Sequence, residues 1–234
     1  MSKKQPLILS IETATANCSV ALHLGGKLLE LLELNQPNIH ASQTFVFIQE
    51  VMNRTGFDFN ALDAVAVSKG PGSYTGLRIG VSASKGFCYG LKIPLIGIGT
   101  LQNMALSAKE FALNNGYHLL MPMLDARRME VYSQAFDTDL NPIDAPNAVV
   151  LNENSYSNYL NSKKVLFFGN GMEKAKNLLE KNSNSGFLSQ IIPTASNTGA
   201  LAINKFLNNE FEDVAYFEPF YLKEFVSQAT FHKR

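Results

Sequence analysis

The chain has 234 residues, enough to bury one large or two modest cores, and its 46% hydrophobic and 17% charged content is that of an ordinary globular protein rather than a disordered or fibrous one. Its 20 basic and 20 acidic residues cancel, so no global field draws it to a phosphate backbone or an anionic membrane, and any RNA substrate would have to be gripped by a partner. Cys18 and Cys88 lack metal or redox spacing, no apolar run is long enough to span a bilayer, and the run 7–11 is cut by Glu12 before it reaches signal-peptide length, all of which predicts a cytoplasmic protein with reduced thiols.

In chain order, residues 7–11, 19–24 and 27–34 read as strands, with Gly25-Gly26 as the tight turn between the last two. Residues 41–54 form an amphipathic helix with apolar rows at Phe45, Ile48, Met52 and at Phe47, Val51, an arc wide enough to face a partner in part. Residues 64–68 are short, apolar and β-branched, as in a strand buried on both faces. Gly70-Pro71-Gly72 then turns the chain sharply, and Ser73 or Thr75 caps a helix starting near Gly76. In that helix Gly76, Gly80, Ala83, Phe87 and Gly90 recur at three- and four-residue steps, so one face is nearly bare backbone. Because each interior glycine costs about 0.8–1 kcal/mol relative to alanine, something must offset them: either this is a central core helix of a single domain or, the favoured reading, one face packs on the sheet and another on a second subunit. On that reading a bulky residue at Gly80 breaks partner binding and leaves the fold intact. A strand at 94–98 and a helix at 100–111 follow, and the order of elements suits a mixed sheet flanked by helices.

A second lobe opens with a strand at 119–124, a polar turn Asp125-Ala126-Arg127-Arg128 and a strand at 130–136, which divides the chain into lobes at 1–110 and 111–234. Residues 141–162 read as loop, 164–168 as a strand, 172–180 as a helix and 182–186 as a flexible turn. A helix at 197–208, capped by Ser196, is expected to pack back on the first lobe, and the tail from 216 to 231 is aromatic.

The turn at Gly70–Gly72 directs backbone N–H groups and a helix N-terminus outward, which serves equally as a tight structural turn or as a phosphate contact through Gly70, Gly72, Ser73 and Thr75. It matches neither a P-loop nor a nucleophile elbow, since no Lys follows Gly76 and Pro71 and Thr75 stand where the elbow needs glycine. Arg127 and Arg128 can pair with phosphate or form salt bridges at a lobe or partner boundary.

Three stretches together resemble the TsaB (YeaZ) family, whose members work in making threonylcarbamoyladenosine in tRNA. They are Ile-Leu-Ser-Ile-Glu-Thr-Ala-Thr-Ala-Asn-Cys-Ser-Val-Ala at 8–21, Gly-Pro-Gly-Ser-Tyr-Thr-Gly-Leu-Arg-Ile-Gly at 70–80, and Asp125-Ala126-Arg127-Arg128 with Glu130-Val131-Tyr132. The resemblance covers about the first 136 residues. It implies an α/β fold, the two-lobed actin-like ATPase fold (ASKHA, ribonuclease H-like), with mixed sheets flanked by helices. It also implies that Glu12 and Thr13 stand in the first phosphate turn of that superfamily, where Glu12 replaces an aspartate and Ala14 a glycine, a degraded form of the site.

The resemblance further implies a subunit without catalytic residues of its own. It would stabilise a TsaD-like catalytic subunit, pair with itself when that partner is absent, meet a TsaE-like ATPase, and touch tRNA only indirectly. The expected partner interface comprises Phe45, Ile48, Met52, Gly76, Gly80, Ala83 and Phe87. No cofactor is expected on the isolated chain, with ATP or ADP and Mg held only in the assembled complex. TsaD carries a His-x-x-x-His metal pair after the strand matching 94–98; here Thr100 and Met104 hold the comparable positions, so no metal site is expected and a metallopeptidase is disfavoured. The alternative is an independent Mg-ATP-dependent ATPase or small-molecule kinase using Glu12, the 70–76 loop and Asp125.

Overall fold

The structure is a computed structural model and describes residues 5–223. The first part of the chain runs β1 (Leu7–Glu12), β2 (Asn17–Leu24), β3 (Lys27–Asn35), α1 (His40–Thr55), β4 (Ala64–Gly70), α2 (Tyr74–Leu91), β5 (Leu95–Gly99) and α3 (Thr100–Asn114). Its five strands lie in the order β3-β2-β1-β4-β5, with β1, β2 and β3 antiparallel and β1, β4 and β5 parallel.

Strand alternation divides this sheet between two helical layers. Leu7, Leu9, Ile11, Val65 and Val67 point into a core with Ile48, Val51 and Met52 of α1 and Val81 and Cys88 of α2. Ile8, Ala64, Ala66, Ile96 and Ile98 point the other way, onto α6 (Ala195–Leu207) through Ala202. Both faces are covered, which is why these strands are apolar throughout rather than alternating with polar residues.

The second sheet is built from β6 (Leu119–Asp125), β7 (Glu130–Ser133), β8 (Phe136–Asp137), β9 (Asn147–Val150), β10 (Val165–Phe168) and β11 (Ser185–Leu188), in the order β11-β10-β6-β7-β9 with β8 paired to β6. One face packs on α3 through Leu101, Met104, Ala105 and Ala108 against Leu120, Phe136, Leu166 and Phe168. The other is covered by α4 (Ser157–Leu160) and α5 (Met172–Leu179) through Leu160, Met172, Ala175 and Leu179. The architecture is therefore α/β, with two mixed sheets flanked by helices, as the sequence predicted.

Several boundaries differ from the sequence expectation. Helix α2 starts at Tyr74, and Ser73 rather than Thr75 caps it, its Oγ accepting from Gly76 N at 3.2 Å. Helix α6 starts two residues before the expected 197 and is capped by Thr194, which accepts from Ser196 N, not by Ser196. Strand β9 lies in a stretch read as loop, and β11 begins in the stretch read as a flexible turn; each is four residues long and is set by its pairing with β7 or β10, a long-range partner that local composition cannot show. The aromatic tail beyond residue 223 and the first four residues lie outside the described residues.

Candidate functional site

Strand β1 ends at Glu12, which the 2.0-residue period places on the α6 side of the sheet with Ile8 and Ser10. The parallel register Ser10↔Ala66 and Ile11↔Val67 brings Ser68 level with it. Glu12 is fully buried: Oε1 accepts from Ala14 N and from Ser68 Oγ, both at 2.7 Å, and Oε2 faces Asn103 Nδ2 at 3.5 Å. Asn103 in turn donates to Thr194 O at 2.8 Å and to Thr198 Oγ1 at 2.9 Å, and its Oδ1 accepts from Thr194 N at 3.1 Å. A carboxylate at the tip of β1 thus ties together β4, α3 and the start of α6. Burial pushes its carboxyl up to about 7, because desolvation outweighs the hydrogen bonds from Ala14, Ser68 and Thr13 that lower it.

Thr13 is also fully buried, and the turn it opens lies directly on the first half of α2. A Cβ at Gly76 would stand 2.1 Å from Thr13 O, and one at Gly80 would stand 2.3 Å from Thr13 Oγ1. Ser73 N donates to Ala14 O at 2.7 Å, and Gly72 passes so near that a Cβ would meet the same carbonyl at 2.4 Å. Gly70, at φ +110°, lies under Phe220 O, 2.5 Å from where its Cβ would be. Of the amides at this turn, Ser73 N is engaged by Ala14 O and Gly76 N by Ser73 Oγ, and the close approach of the Ala14 and Phe220 carbonyls crowds Gly72 and Gly70. With Glu12 and Thr13 sealed as well, the residues of the first turn do not fit a bound phosphate or magnesium as arranged.

This geometry corrects the expected interface residue by residue. Ile48 and Met52 belong to the core under α1, Ala83 to the same core, and Gly76 and Gly80 are buried against Thr13, so none of these five offers a surface. A bulky side chain at Gly80 would have to displace Thr13 and disturb the fold, contrary to the sequence expectation. Phe87 is half-buried, stacked on Phe59 at 5.4 Å and 6.4 Å from Phe45, whose own side chain is 56% exposed.

The open surface of α2 is the flank beside the predicted ridge, and of the ridge glycines it takes in only Gly90. Ser82, Gly86, Tyr89 and Gly90 are exposed, Tyr89 at 83%, and a Cβ added at Gly86 or Gly90 meets no atom of the described residues within 4 Å. Beside it α1 exposes Phe45 and, at 55%, Val46. The sequence pattern by itself does not show that Thr13, not another chain, occupies the Gly76–Gly80 side.

In the second sheet, Arg127 and Arg128 occupy the β6–β7 hairpin with φ of 67° and 43°, and both stand exposed. Asp125 Oδ1 accepts from Arg127 N and from Lys174 Nζ, each at 2.7 Å, and Asp125 N is held by Asn170 Oδ1. The carboxylate of this turn is thus paired internally as well. Thr75 is exposed on the first turn of α2. Thr100 and Met104, at the positions of the TsaD histidine pair, are fully buried, and among the described residues no three His, Cys, Asp or Glu side chains gather around a common point. The sequence reading missed Ser68, Asn103, Thr194 and Thr198; only Ser68 carried a signal, as a polar residue on the period-2 face of an otherwise apolar strand.

A family model described as "TsaD: tRNA N6-adenosine threonylcarbamoyltransferase" matches residues 36–229. The Escherichia coli (strain K12) protein named tRNA threonylcarbamoyladenosine biosynthesis protein TsaB is 37% identical over 136 residues, covering 58% of this chain and 57% of that protein. A Haemophilus influenzae protein of the same name is 36% identical over 125 residues, 53% of this chain and 51% of its own length. The match thus spans little more than half the length of these curated relatives. A solved Pseudomonas aeruginosa structure, described as an uncharacterized protein with similarity to peptidase YEAZ, superposes with a TM-score of 0.81 at 21% identity over 93% of this chain and 100% of that one, which shows a common fold. With the family model covering most of its length, this chain belongs to the TsaD family, and over its first half it is similar to the TsaB proteins.

Proposed function

We propose that this chain is a non-catalytic subunit in threonylcarbamoyladenosine biosynthesis, docking a TsaD-like catalytic subunit through the exposed faces of α1 and α2. The observation that carries the reading is the open side of α2, where Gly86 and Gly90 leave bare backbone and Tyr89 stands exposed, on a helix that α1 meets through exposed Phe45 at Phe87. A helix with exposed glycines loses stability unless another surface packs closely on it, and exposed aromatics are the side chains that anchor protein interfaces. The names of the similar proteins point to the pathway, and the sealed Glu12 supports the absence of chemistry on this chain alone. The same face would pair two copies when the catalytic subunit is absent. A TsaE-like ATPase would join the assembly, ATP or ADP with Mg would be held only there, tRNA would be contacted through the partner, and the work would take place in the cytoplasm.

The test is co-purification of the tagged full chain with its catalytic partner after Gly86→Arg or Tyr89→Asp. Assembly is expected to fall at least tenfold while the thermal melt of each variant stays near that of the parent. Assembly that survives both changes would sink this reading. The enzyme alternative is checked by calorimetry of the isolated chain with Mg-ATP: micromolar binding with turnover lost in Glu12→Ala would replace the subunit reading by an ATPase.

A further inference from the structure

Beyond α6 the chain returns across the molecule. Glu212 N donates to Leu95 O at 2.9 Å, bridging the outer edge of β5, and its carboxylate pairs with Lys69 at 3.3 Å. Lys85 Nζ of α2 donates to the carbonyls of Ala215 and Phe217, at 3.1 and 3.0 Å, on either side of Tyr216. Phe220 N donates to Lys69 O at 2.6 Å, and the Tyr221 ring lies 4.9 Å from Tyr74 while its hydroxyl accepts from Arg78 Nε at 3.2 Å. Lys223 then pairs with Glu130, at the start of β7 in the second sheet.

We propose that residues 212–223 are a latch between the two lobes: closed, it clamps the Gly70 loop and one flank of α2 to the β6–β7 hairpin, and released, it frees the edge of β5 and lets the lobes change angle. Its fastening suits that role. Phe217 is the one buried side chain, with Val214 partly packed, while the remaining grips are surface ion pairs, lysine-to-carbonyl bonds, the Tyr221 ring and hydroxyl against Tyr74 and Arg78, and two backbone hydrogen bonds to the sheet and loop. Segments with so few buried contacts open without global unfolding. A strap that starts on one lobe and ends on the other restrains a hinge between them.

Regulation follows, and this part rests on the docking reading above. The latch grips α2 at Tyr74, Arg78 and Lys85, next to exposed Ser82 and Tyr89, and holds out Tyr216 at 84% exposure beside that face. A partner seated there meets Tyr216 and holds the latch shut.

Hydrogen exchange of the full chain tests both parts. In the chain alone, the amides of Glu212 and Phe220 are expected to exchange at least tenfold faster than those of Leu9 and Ile11 in β1. Lys223→Glu or Glu130→Lys should speed them about threefold further, and the charge-swapped double variant should restore the parent rate. A single common rate for strap and β1, or a double variant no slower than the singles, would overturn the latch. With the catalytic partner present, Phe220 should be protected at least tenfold; partner bound without protection overturns the coupling and leaves the docking reading standing. Loss of binding altogether overturns docking and coupling, whereas the rates of the chain alone still decide the latch.

Discussion

The two halves of α2 carry glycine at the same four-residue step and put it to opposite uses. In the first half, Gly76 and Gly80 let the Thr13 turn approach to a distance no side chain would permit, and the helix-weakening glycines are offset by packing inside this chain. In the second half, Gly86 and Gly90 face open space, and none of the described residues packs on them. The same contrast runs across α1, where Ile48 and Met52 fill the core and Phe45 and Val46, on the neighbouring face, look outward. Spacing of small or apolar residues therefore identifies a close-packed face, but not whose atoms pack on it.

The largest effect that would break this comparison belongs to Gly76→Ala. Its Cβ meets a backbone carbonyl that cannot rotate away, so urea unfolding should show a loss of about 3 kcal/mol; a loss under 0.5 would mean that the Thr13 turn does not rest on α2. Ile48→Ala should cost about 2–3 kcal/mol as a core truncation, whereas Phe45→Ala should cost well under 1 in the isolated chain, which separates the inward from the outward side of α1.

Glu12 sharpens the picture through pH. Its carboxyl sits at about 7 in the folded chain against an ordinary 4.5, so the folded state holds the proton more tightly within that window. The associated stability is fully present below about 4.5 and is lost as pH rises toward 7, with a slope of up to about 1.4 kcal/mol per pH unit and no further change above. Urea midpoints from pH 4 to 8 should show that slope in the parent and its absence in Glu12→Gln. A small effect of opposite sign from the first belongs to Gly86→Ala, which in open space should raise stability by about 0.8–1 kcal/mol. A destabilising Gly86→Ala would mean that the second half of α2 is as tightly packed by its own chain as the first.

Much of the fold was legible in the residues. The apolar strands at β1 and β4, the Gly25-Gly26 turn, the glycine loop into α2 and the amphipathic periods of α1 and α3 are local signals, and the structure contains each. The weak strands β9 and β11 were not, since four residues of mixed polarity become strands only by finding a partner. For the candidate site, position was legible and state was not. Glu12 was recognisable as the residue at the first turn, but Ser68, Asn103 and Thr194 reach it from 56, 91 and, through Asn103, still more distant positions in the chain.

Composition, period and turn chemistry by themselves determined the class of fold, the order of its first elements and the family to which its motifs belong, because each of these is encoded within a few neighbouring residues. Which glycines serve the chain and which stand open, whether a carboxylate faces solvent or a buried amide, and where residues 212–223 fasten were decided only when distant segments met. Those properties depend on what lies opposite a residue, and that neighbour is supplied by the tertiary packing of the Thr13 turn on α2, of α6 on the first sheet and of residues 212–223 against both sheets.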